Sequence, residues 1–95
     1  MRVIQLVMTG APVQLLVPSA QNPQGNVAAS LMMVQANTAN ATIGDNTVTA
    51  TKGIVLTAGT VYPFDFSAVR GSLLSQYWFF GTSGDTVTVL YETAQ

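Results

Sequence analysis

Apolar and polar residues alternate along much of this chain with a period of two, the spacing of a strand with one buried face. In Thr86 to Glu92, Val87, Val89 and Tyr91 share one side. In Thr60 to Phe66, Tyr62, Phe64 and Phe66 share one side, and Val61, Pro63 and Asp65 the other. Pro63 has no N–H to give a ladder, so that strand is expected at a sheet edge or a bulge. Ser30 to Ala36 is apolar on both sides, Leu31 and Met33 on one and Met32 and Val34 on the other. That pattern predicts a central strand covered on two sides. Val3 to Thr9 and Val13 to Val17 read as two further strands, the second closed by Pro18. Ala41 to Gly44 and Thr47 to Thr51 read as a hairpin around Asp45-Asn46, residues that tolerate the positive φ of tight hairpins. Gln76 to Phe80 is a strand dense in aromatics. Ser67 to Ser75 is the weakest pattern, with a short helical turn around Ala68-Val69-Arg70, and Gln21 to Val27 reads as a surface loop.

Turn signals punctuate these runs at Thr9-Gly10, Asn22-Pro23, Gly44-Asp45, Lys52-Gly53, Ala58-Gly59 and Ser83-Gly84. Twelve valines and twelve threonines supply the β-branched side chains that suit a pleated surface. The expectation is an all-β fold: one antiparallel β-sandwich, jelly-roll-like or barrel-like, of about seven to nine short strands in a single domain over residues 1–95. The apolar start, Met1 to Ala20, is broken by Gln5, Thr9, Gly10, Pro12 and Gln14. It falls short of the roughly 18 apolar residues of a membrane helix, and two strands are expected there, not a signal peptide.

Charge changes the picture by its scarcity. The 95 residues carry three basic and four acidic side chains, 7% of the chain against a usual share of about 25%. Net charge is -1. Near neutrality favours association, and a subunit docked in an assembly is the functional expectation. Arg2, Lys52 and Arg70 stand far apart, which argues against a nucleic-acid footprint. The absence of His and Cys removes the usual zinc, haem and thiolate ligands and any disulfide framework, so no metal or cofactor is expected. It also removes the commonest general acid–base, and no enzyme activity is expected. Asp45 and Asp85 sit beside Gly in turns, Asp65 on the solvent face of its strand and Glu92 near the last strand's end. Lys52 is the one base a Ser–Lys dyad could use, and Gly81-Thr82-Ser83-Gly84 lacks the Lys and helix of a phosphate loop and reads as a hairpin turn.

The run Tyr77-Trp78-Phe79-Phe80 is the densest aromatic feature. In a strand, two of these side chains face one way and two the other. All four residues are candidates for a contact with another chain, because aromatics dominate buried contacts between chains. A sugar-stacking platform of a carbohydrate-binding module is the alternative from another class.

From Ala36 onward the order of motifs resembles small structural proteins of tailed bacteriophages. It runs Ala36-Asn37 and Asn40, Ile43-Gly44-Asp45-Asn46 with Val48, Lys52-Gly53-Ile54-Val55-Leu56, Ala58-Gly59 and Tyr62-Pro63-Phe64-Asp65-Phe66. It closes with Gly81-Thr82-Ser83-Gly84-Asp85-Thr86-Val87-Thr88-Val89-Leu90-Tyr91. The resemblance covers roughly the last two-thirds of the chain, and Ser72 to Phe80 departs from it in being more apolar. It implies a non-enzymatic virion component: a capsid decoration (cement) protein, or a tail or baseplate component. The implied partners are further copies of the chain, as a trimer, and the major capsid protein or other virion proteins, with no nucleic acid and no membrane. The implied location is the outer capsid surface or the tail.

Overall fold

The computed structural model describes residues 2–16, 27–66 and 71–93. Its elements are β1 (Arg2–Val7), β2 (Val13–Gln14), β3 (Ala28–Ala36), β4 (Ala41–Gly44), β5 (Ile54–Leu56) and β6 (Val61–Asp65). There follow β7 (Ser72–Leu73), a 3-10 turn (Leu74–Gln76), β8 (Trp78–Phe80) and β9 (Thr86–Thr93). All pairings are antiparallel. One sheet, here the long sheet, has the order β1-β9-β3-β6, with β7 also on β3. The other, the short sheet, has the order β2-β8-β4-β5. The fold is therefore the all-β antiparallel sandwich that the alternation predicts.

The core lies between the sheets because alternation gives each strand one apolar side. Met32, Val34, Val87, Val89 and Tyr91 from the long sheet meet Ile43, Leu56 and Phe79 from the short sheet in one cluster. Met8, Leu15 and Leu74 close it from the connections. In β3 both Ala29 and Met32 face inward although three residues apart. The register against β9 shifts between Ala29 and Leu31, so a bulge resets the alternation. Gly81 is buried where β8 ends, and a Cβ there would stand 2.7 Å from Met8 Cγ. Only glycine lets that backbone come so close.

Several elements depart from the sequence expectation. Thr47 to Thr51 is not a strand: Ala41–Gly44 pairs instead with Ile54–Leu56. Asp45 takes the Thr47 N–H and hydroxyl on its carboxylate, and Thr49 and Lys52 exchange backbone bonds, so local hydrogen bonding coils residues 45–53. Gly81 to Gly84 is not a hairpin turn but a crossover, since β8 lies in the short sheet and β9 in the long one. β2 stops at Gln14, and Val17 and Pro18 lie outside the described residues, as does Gln21–Asn26 of the expected loop. The turn expected at Ala68-Val69-Arg70 also lies outside them. Phe66 and Gly71 are joined by a hydrogen bond, and β7 resumes along β3 where β6 left it. Gln76 belongs to the 3-10 turn rather than to β8.

Candidate interaction surfaces

The aromatic run is divided by the pleat. Phe79 is wholly buried and pairs with Val13 on one side and Ile43 on the other. It is a core residue, which corrects its reading as a contact to another chain. Tyr77 is half-buried against the same core; its ring stacks on Phe66 at 5.8 Å and its hydroxyl lies 3.2 Å from Ser72 Oγ. Trp78 and Phe80 face the other way, half-buried, beside Gly44 and Thr42 of β4. Of the four candidates, only Trp78 and Phe80 thus lie on an outer face, that of the short sheet.

That outer face is largely covered by the chain's own residues 45–53. Val48 is 1% exposed yet lies outside the main core cluster. The Cβ direction of Gly44 meets Val48 at 3.2 Å, so Val48 packs on the back of β4. Thr42 is buried there too, with its hydroxyl toward the Ala50 carbonyl. Gly53 closes the cover at φ +131°, where a Cβ would stand 2.6 Å from the Ile43 carbonyl oxygen. Lys52 Nζ donates to Thr47 Oγ1 at 2.7 Å, and that hydroxyl donates to Asp45 at 2.6 Å. These bonds from Thr47 hold the Asp45 carboxyl below the usual carboxylate range. Lys52 is thereby tied through Thr47 to Asp45 and clamps this loop. A depression of about 220 Å³ remains beside it, lined by Phe80, Val55, Thr42 and Asn40 among others.

The long sheet has no such cover among the described residues. Its registers place Val3, Leu90, Met33 and Pro63 in one row across all four strands on the outer face. At about 4.8 Å between strands the row spans about 14 Å. Val3 is 63% exposed, and Val61, one rung away, is 52%. A shallow depression of about 270 Å³ follows this row, lined by Val3, Met33, Leu90, Val61, Gln35 and Thr88. On one side the next rung carries Glu92, Leu31 and Asp65; on the other, Gln5, Thr88, Gln35 and Val61. The result is an apolar stripe with a polar and partly acidic rim, the anatomy of a contact surface. The two-sided apolar pattern of Ser30 to Ala36 was its signal in the sequence. That strand is central in its sheet as expected, but its Leu31 and Met33 side stays half-open rather than covered.

The remaining candidates are spread over the molecule. Asp85 accepts from the Thr38 hydroxyl, and Asn37 and Asn40 bond to Thr86 and to the Ala58 N–H, tying turns to strands. Among the described residues no three His, Cys, Asp or Glu side chains gather as a metal site, and no helix is long and apolar enough to cross a membrane. Arg2 starts β1, Lys52 lies over the short sheet, and Arg70 is outside the described residues. Comparison with protein-family models, with curated proteins and with solved structures finds no match.

Proposed function

We propose that this chain is a non-enzymatic structural protein of a tailed-phage virion, a capsid decoration protein that self-associates and binds between coat subunits. The observation that supports it is the apolar row Val3, Leu90, Met33 and Pro63 on the open face of a sandwich with almost no charge. Such a face loses about 25 cal/mol of unfavourable hydration per Å² covered, and many copies on one shell multiply a weak contact through avidity. The acidic rim at Glu92 and Asp65 suits a coat surface with basic residues around an apolar centre. The sequence resemblance supplies the virion setting, and the open face supplies a means of docking.

The test is to mix the purified chain with capsids that lack it and to locate added density by electron cryomicroscopy. Density at junctions between coat subunits is expected. A Met33→Lys/Leu90→Lys chain that stays folded is expected to leave those junctions empty. Failure of the unaltered chain to sediment with capsids would overturn the reading, and density on tails alone would move it to the tail.

A further inference from the structure

We propose that β1 is a docking edge for a second copy of this chain, the two β1 strands pairing antiparallel about a two-fold axis at Gln5. The proposal rests on the self-association in the reading above but not on capsid binding. It begins with the four sheet edges. β2 and β5 are two and three residues long, and β6 carries Pro63 and ends in Asp65. Short strands, proline and charge are the usual means of blunting an edge. β1 has six residues, no proline and no charge after Arg2, and among the described residues it pairs only with β9.

The backbone register of β1 is self-complementary. Met8 N–H donates to the Asp85 carbonyl at 2.7 Å, so alternation aims the backbone groups of Leu6, Ile4 and Arg2 at β9. Those of Val3, Gln5 and Val7 then point away from the sheet. These three positions are symmetric about Gln5. A two-fold there sets Val3 against the partner's Val7 and Gln5 against the partner's Gln5, each pair able to exchange two hydrogen bonds. On the inner side Ile4 meets Leu6 in the same register.

Charge agrees with this arrangement. The register brings Arg2 beside the partner's Met8, which is bonded across its other side to Asp85, so opposite charges lie two strand spacings apart at both ends and no like charges face each other. The paired edges would also make the two outer faces one continuous surface, each apolar row meeting the partner's β1 at Val7. An edge-to-edge contact buries less than the roughly 1,200–2,000 Å² of a stable complex, so the dimer forms at high concentration or on a surface that gathers copies. The sequence resemblance implies threes, and this contact makes twos.

The chain has no cysteine, which makes cross-linking clean. A hydrogen-bonded antiparallel pair sets its Cα atoms about 5.5 Å apart, within disulfide range. Gln5→Cys should therefore oxidise to a covalent dimer of twice the chain mass at tens of micromolar protein. Val3→Cys alone should not, since the register separates the two copies of that residue by about four residues of strand, roughly 13 Å. A mixture of Val3→Cys and Val7→Cys should cross-link again. Gln5→Lys and Gln5→Glu should each weaken the unoxidised dimer about fivefold by setting like charges face to face, and mixing them should restore it. A chain that is monomeric throughout, a trimeric mass, or Val3→Cys cross-linking as readily as Gln5→Cys would each overturn the proposal. If the same chain still decorates capsids, the functional reading stands while this contact fails.

Discussion

The two sheets bury one core with opposite treatments of their backs. The short sheet has strands of two to four residues, and residues 45–53 fold across it with Val48 as the plug. The long sheet has a nine-residue and an eight-residue strand at its centre and leaves apolar side chains in the open. The lesson is that exposure on the long sheet is not a general shortage of polar covering. The same chain covers most of one back, with Val55 left half-exposed at its edge, and leaves the other uncovered among the described residues, which is why the long sheet carries the docking proposal.

Phe79→Ala should give the largest effect, because it removes the shared core rather than either back. About 3–5 kcal/mol is expected in urea unfolding, enough to threaten folding of so small a domain. Gly53→Ala attacks the cover of the short sheet through its backbone. A side chain at φ +131° meets the Ile43 carbonyl, and about 2–3 kcal/mol should be lost in the same measurement. Val48→Ala removes the plug alone and should cost about 2 kcal/mol. If Val48→Ala proves neutral, the back of the short sheet is not held shut by that side chain and the contrast between the sheets collapses.

On the open back the same chemistry should hardly register. Val61→Thr should change stability by less than about 0.5 kcal/mol while weakening the capsid binding proposed above. The smallest effect belongs to the Asp45 clamp. Its pKa is lowered in the folded protein by Thr47, so its contribution is present above about pH 4 and fades as pH falls through the lowered value. Asp45→Asn should flatten that part of the stability–pH curve, read by thermal melting from pH 6 down to pH 2, and lower neutral-pH stability by the same small amount that the unaltered protein loses on acidification.

Much of the architecture was legible in the alternation. The inward faces of β6 and β9 and the edge position of Pro63 follow from period two and from a missing N–H. The misreadings have separate causes. Thr47 to Thr51 has strand-like composition, but Asp45 and Thr49 offer its backbone local bonds that compete with a ladder. Gly81 to Gly84 has hairpin composition, but which sheet receives the next strand is set by distant pairing with β3 and β1. The aromatic run drew attention by its size, and the pleat then put Phe79 into the core. The stripe on the long sheet was harder to see, because its four residues come from four strands.

By itself, then, the sequence determined that this is a β-sandwich with scarcely any charge and with more apolar strand faces than one core requires. Period-two patterning and side-chain chemistry are local properties, and they survive without knowledge of partners. Only the tertiary structure decided which spare face is covered and which is open. That choice depends on strand order, on register and on where one nine-residue loop lies, all of which arise from contacts between segments far apart in the chain.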